Sequence, residues 1–188
     1  MDAEALGRYI DRHFHRPGHR LFRMELLPAY AVDSDGDDYQ RWLDGAAEPT
    51  WARKQPWLDA LRDERDNDQI STRVRVISAE VTDYERYACE FGYRYNSEAG
   101  EDIRILRRGE HVLPSGLIER DFWVINDDIV IPMSYDDHGR FVGAQVVAAD
   151  NVGGYLHTRD AAWSAAEPFP TWWARHPELQ RGPTARAQ

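Results

Sequence analysis

The chain has 188 residues and a formal net charge of −10, with 33 acidic against 23 basic side chains. That length suits one domain able to bury a core of its own, while the acidic balance and the lack of a long basic run argue against direct binding of DNA or RNA, which needs cations to displace phosphate counterions. Cys89 is the single cysteine, so no disulfide forms within the chain, and its place on the apolar flank of a predicted helix reads as a small buried hydrophobe rather than a catalytic thiol.

Leu6, Tyr9, Ile10, His13 and Phe14 recur at helical spacing behind a possible Asp2 cap, and Pro17-Gly18 ends that run. A loop containing AYAVDSDGDD leads into a short helix around Tyr39–Leu43. Pro56 suits the first turn of a further helix through Trp57, Leu58 and Leu61 to about Asp66. The first third therefore reads as helices and loops with no strand. Neither an apolar signal region nor a stretch of ~18 apolar residues is present, so the expected setting is the cytoplasm, away from membranes.

The pattern changes at Ile70. TRVRVIS alternates, with Val74 and Val76 on one face and Arg73 and Arg75 on the other, as in a half-buried strand. Thr82 and Glu85 have the spacing of a capping box, followed by Tyr84, Tyr87, Ala88, Phe91 and Tyr95 on one helical stripe and Gly100 as its end. Ile103 and Ile105 alternate with Arg104 in a second strand. Asp121–Ile125 and Ile129–Tyr135 flank the turn composition Asn126-Asp127-Asp128, and Asp136–Gly139 leads to a strand over Phe141–Ala148. Pro132 lacks a ladder donor, which predicts an edge strand or a bulge. Tyr155–Ala166 and Phe169–His176 read as helices.

The predicted fold class is α+β. A helical arm over residues 1–69 precedes a β-α-β unit and β-meander in one mixed sheet over 70–150. Helices over 151–179 then pack on the sheet, and residues 180–188 form a frayed tail.

Several chemistries can be tested against spacing. Asp33-Ser34-Asp35-Gly36-Asp37-Asp38 opens like a calcium loop, but position six holds Asp38, position nine Arg41 and position twelve Asp44, where that loop needs Gly at six and Glu at twelve. His13, His15 and His19 are split by Pro17-Gly18 and lack a further ligand for zinc. There is no phosphate-binding glycine loop, no nucleophile elbow and no legible triad. The sequence thus nominates no catalytic residue, metal or cofactor. Arg73, Arg75 and Arg104 are expected to project from one face of neighbouring strands, where guanidinium groups bind anions or pair with covering helices.

The segments FRMELLPAYAVDSDGDDYQRWL, TWARKQPWLDALR, TDYERYACEFGYRYNSEAGEDIRILRRGEH and DFWVINDDIVIPMSYDDHGRFVGAQV resemble an actinobacterial family of unassigned function, domain-of-unknown-function family 6879. The resemblance covers about residues 21–179 and supplies no catalytic residues. It implies a helix-turn-helix regulator as neighbour and partner. A more remote likeness is to a phospholipase-D-like half-domain. The active enzymes of that fold carry a His-x-Lys motif, and the matching segment Arg120–Asp128 has neither residue type.

The function expected is a non-enzymatic regulatory or interaction module acting with a helix-turn-helix regulator. A small ligand would sit near Arg75, Arg104, Asp121, Trp123 and Ser134. The alternatives are a degenerate phosphodiesterase-like or other small-metabolite enzyme, and an immunity- or antitoxin-like binder of a basic target.

Overall fold

A computed structural model describes residues 1–32 and 35–181. Asp33 and Ser34 of the calcium-like segment and residues 182–188 of the expected tail lie outside the described residues. The architecture is α+β, around one seven-stranded mixed sheet ordered β6-β5-β4-β1-β2-β3-β7. Strands β1 (Arg20–Glu25), β2 (Ile70–Ile77) and β3 (Asp102–Arg107) are parallel neighbours. Strands β4 (Phe122–Ile125), β5 (Ile129–Tyr135) and β6 (Phe141–Ala144) extend the sheet antiparallel beyond β1, and β7 (Glu167–Pro168) flanks β3. No helix among the described residues is long and apolar enough to cross a membrane.

Strand β1 overturns the expectation of a strand-free first third. It lies at the centre of the sheet, so residues 1–69 are not simply an arm. A strand covered on both faces loses the alternation that marks a half-buried one: Leu21, Phe22, Met24 and Glu25 are all buried. Helix α1 (Ala3–His13) carries its Asp2 cap as predicted, and α2 (Asp38–Leu43) follows the loop. Helix α3 (Trp51–Asp66) begins five residues earlier than expected, which puts Pro56 inside it. Ala52 and Pro56 both face solvent, where water can meet the carbonyl that proline leaves without a donor.

The capping box at Thr82 and Glu85 is present and opens α4 (Asp83–Tyr87). A π-helical segment, Ala88–Tyr93, then leads into α5 (Arg94–Ala99), which ends on Gly100 at φ +127°. The π turn breaks the predicted stripe, because one extra residue rotates everything after it by about 100°. Tyr84, Tyr87 and Phe91 pack with Trp42, whereas Tyr95 joins Leu58, Leu61 and Ala99 against α3.

Strand β5 is interior, flanked by β4 and β6, with a register shift at Ser134/Tyr135. Its Pro132 has no N–H to return toward β6, although Gln145 donates to the Pro132 carbonyl at 3.4 Å. The regular ladder therefore stops at Ala144 instead of reaching Ala148. At the other end, α6 (Val152–Ala165) and α7 (Phe169–Arg175) match the predicted helices. Gln180 donates to the Trp173 carbonyl at 2.6 Å, and Arg181 to Glu90 at 2.8 Å, so the chain is held through Arg181.

The register sorts side chains by parity. Even-numbered residues of β1–β5 face α6: Phe22, Met24, Val74, Val76, Leu106, Phe122, Val124 and Val130 form an apolar layer with it. The odd-numbered face lies under α1, the α4–α5 segment and α7. Phe122 is fully buried, with ring centroids 5.9 Å from Phe22 and 5.0 Å from Tyr155, and so couples β1 to α6. Phe122→Ala is expected to destabilise the protein by about 3–5 kcal/mol, read as a lower denaturation midpoint in urea.

Candidate functional site

The odd-numbered face holds an unusual amount of charge. Arg23 and Glu25 on β1 and Arg73 and Arg75 on β2 are adjacent in register, Arg23 opposite Arg73 and Glu25 opposite Arg75. Glu25 Oε1 accepts from Arg23 Nε at 2.6 Å and from Arg73 Nη1 at 2.7 Å, while Oε2 accepts from the Tyr93 hydroxyl at 2.8 Å. Burial by itself pushes the Glu25 carboxyl up, and Arg73, Arg23 and Arg75 more than reverse that, holding it well below the usual carboxylate range. The π segment brings Tyr93 into this position. Arg73 continues the chain to Glu101 at 2.7 Å, and Glu101 accepts from Asn96 at 2.8 Å. Asn96 Oδ1 in turn accepts from the Lys54 ammonium at 2.7 Å.

A second branch ties down the loop after β1. Arg75, 0% exposed, donates to the Leu27 carbonyl at 2.5 Å and to the Tyr30 hydroxyl at 3.1 Å, and lies 3.9 Å from Glu85. Tyr30 donates to Asp121 at 2.6 Å, and Asp121 accepts the Leu26 amide at 2.9 Å. Burial pushes the Asp121 carboxyl upward despite those bonds. Glu85 accepts from the Ser78 amide and hydroxyl and from the Thr82 amide, joining the end of β2 to its following helix.

The five residues expected to bind a ligand are therefore dispersed. Arg75 and Asp121 are enclosed and bonded to protein groups. Trp123 lies beneath Arg23, whose guanidinium is 4.6 Å from the ring. Arg104 is level with Val74 and Arg75 with Ile105, so Arg104 projects from the opposite face. This corrects the expectation that Arg73, Arg75 and Arg104 share one face. Arg104 packs 4.1 Å from the Trp163 ring and donates to the Trp163 carbonyl at 3.2 Å. Ser134, also even-numbered, accepts from Arg120 at 2.7 Å.

The network instead uses Arg23, Glu25, Tyr93, Glu101 and Lys54, none of them nominated from sequence. Arg23 and Glu25 had a signal: charges two apart among apolar residues in LFRMEL, the same pattern that marked Arg73 and Arg75.

One described cluster has ligand atoms close enough for a metal ion: Glu110, His111 and Glu167, within 4.8 Å of one another. Its chemistry does not fit a cation. Arg175 Nη2 bridges the two carboxylates at 2.8 and 2.5 Å. His111 Nδ1 accepts the Arg107 amide at 3.0 Å, which places the ring hydrogen of the neutral tautomer on Nε2, facing Glu167 at 3.6 Å. Burial raises the Glu110 carboxyl, but hydrogen bonds from Trp172, His176 and Arg175 bring it down to about 2. The earlier His13, His15 and His19 cluster is internally bonded: His13 to the Tyr9 carbonyl, and His19 Nδ1 to the His15 amide.

Removing a buried partner leaves its neighbours' charges uncompensated. Glu25→Gln is expected to cost about 3–5 kcal/mol in urea unfolding at pH 7. Lys54 gives a pH-dependent test. Burial lowers its ammonium pKa from 10.5 to about 8, with Glu101 opposing the shift. The unfolded chain then binds this proton more tightly between those values, so stability rises with pH across that window. A gain of about 1–2 kcal/mol from pH 7 to pH 9.5 is expected, absent in Lys54→Met.

No curated protein and no solved structure matches this chain. A family model described as "Domain of unknown function (DUF6879)" matches residues 8–174, a span that takes in the central sheet and both branches of the charged network. The chain belongs to the DUF6879 family.

Proposed function

We propose that the protein is a non-enzymatic regulatory module of the cytoplasm that acts by binding a helix-turn-helix transcription regulator. The carrying observation is an aromatic surface with acidic surroundings on α3 and α5. Trp51, 39% exposed, meets Tyr95 edge-on at 5.1 Å, and its indole donates to Glu48 at 2.8 Å. Burial raises the Tyr95 phenol, and Arg94, 5.3 Å from its ring, opposes this. Glu48, Glu98 and Glu90 also surround it, Glu98 paired with Arg94 at 3.7 Å and Glu90 with Arg181 at 2.8 Å. Leu43 and Trp57 are also exposed, at 44% and 40%. Aromatic anchors carry much of the energy of protein interfaces, and carboxylates around them favour a basic partner. DNA-binding regulators present such basic surfaces, and the resemblance to the family implies a helix-turn-helix neighbour.

Commitment of the interior charges to protein partners weighs in the same direction. A phosphodiesterase-like reading needs the segment around Asp121 free to serve a phosphate. Asp121 instead holds Leu26 and Tyr30.

Co-expression with the adjacent regulator followed by size-exclusion chromatography at micromolar concentration tests the proposal. A stable complex is expected, weakened at high salt because its contacts are charged. Trp51→Ala should reduce affinity by about tenfold or more while leaving the thermal midpoint nearly unchanged. Separate elution of the two proteins at low salt would overturn it.

A further inference from the structure

The two faces of the sheet are covered unequally, which leaves a cleft at one end. Helix α6 crosses its face obliquely. Tyr155, near its start, packs on Phe122 of β4, and Trp163, near its end, packs on Arg104 of β3. The amino-terminal ends of the three parallel strands are left open. Burial along β2 records this: its last four residues are buried, while Ile70 is 45% exposed and the next three are partly exposed. The uncovered corner is a cleft of about 250 Å³, with Phe22 and Val124 among its lining residues, Trp163 as a wall and Ile70 at its margin. Arg104 fixes the Trp163 ring from beneath, so the wall is preformed.

Charge is distributed unevenly around the cleft. Arg159 is paired through Nη1 with Asp127 and through Nε with Asp160, and the Thr72 hydroxyl is taken by the Leu21 carbonyl at 3.0 Å. Arg20 and Asp102 also line the cleft. Both are exposed, and neither side chain has an ion-pair or hydrogen-bond partner among the described residues. They sit on the outer two of three adjacent strands, Arg20 level with Ile70 and Asp102 with Thr72. Two strand spacings and two residues of rise put their Cα atoms about 11–12 Å apart, and the two side chains do not pair with one another. A cation on one side and an anion on the other thus flank an apolar floor.

We propose that this cleft binds a small zwitterion with an apolar body, of the class of apolar amino acids and their dipeptides. The ligand carboxylate lies on Arg20, its ammonium on Asp102, and its apolar part over Phe22 and Val124 against Trp163. The volume falls just below the 300 Å³ lower end of drug-sized pockets, as a ligand of this size requires. The site does not depend on the partner proposed above. Either can fail without the other.

Calorimetric titration of the full chain with leucine, phenylalanine and Leu-Leu, beside N-acetyl-leucine and leucine amide, tests the assignment and separates free amino acid from dipeptide. At least one zwitterion should bind with a dissociation constant of about 1 mM or tighter, and removal of either ligand charge should weaken it about tenfold. Arg20→Gln should abolish the advantage of leucine over leucine amide, and Asp102→Asn its advantage over N-acetyl-leucine. Both positions are exposed strand starts, and the fold of each variant is checked by circular dichroism. Absence of binding by every zwitterion at about 10 mM, or equal affinity for charged and charge-blocked forms, would overturn the proposal.

Discussion

The Glu25 carboxylate, placed between Arg23 and Arg73 and beneath Tyr93, is the constraint on which the rest of the molecule depends. Desolvating an ion is expensive, and mutual attraction repays that cost only where every remaining donor and acceptor is met. Here the requirement binds elements that are distant in sequence. Strand β1 supplies the acid, β2 the second arginine, the π segment the phenol, and α5 and α3 continue the chain through Asn96 to Lys54. A buried ion pair is weak evidence for net stability. Its clearer effect is to penalise any packing in which one of these elements is displaced.

The same constraint divides the sheet into two working faces. The even-numbered side, against α6, is packed almost wholly by apolar groups that have no preferred partner and tolerate partial coverage. The odd-numbered side must close completely, since an open edge would leave charges half paired. Arg75 draws Leu27 and Tyr30 down over the carboxyl end of β2, and Asp121 completes the seal, with the Arg75 Nε the one buried donor of that guanidinium left without a partner. The carboxyl ends of parallel strands are the usual ligand position in open α/β sheets. Here that end is filled by the protein's own loop, and the open concavity lies at the amino ends under the margin of α6.

The π segment explains how a helix with an aromatic stripe serves three surroundings at once. Before it, Tyr84 and Tyr87 face Trp42. Within it, Tyr93 turns to the sheet and Cys89 is enclosed among Ile77, Ile103 and Phe169, where burial pushes the thiol up and suits an inert apolar role. After it, Tyr95 reaches α3 and the exposed Trp51. A regular α-helix would have held Tyr84, Tyr87, Phe91 and Tyr95 on one stripe with Tyr93 on the opposite side, and the π turn divides that stripe between Trp42 and α3.

Elements whose causes are local are legible in the sequence: the β2 alternation, the Thr82–Glu85 capping box, the Gly100 terminus, the Asn126–Asp128 turn between β4 and β5, and the helices after residue 151. These follow from period, caps and turn chemistry within a few residues. Strand β1 was not legible, because burial on both faces removes its period and its charged residues make sense only beside β2. That Arg104 faces away from Arg75 follows from the folded arrangement alone, since it rests on parallel register across the intervening helix. Arg20 and Asp102, 82 positions apart in the chain, come to flank one cleft for the same reason. Register between distant strands is set by packing and charge pairing, which single-sequence periodicity does not record.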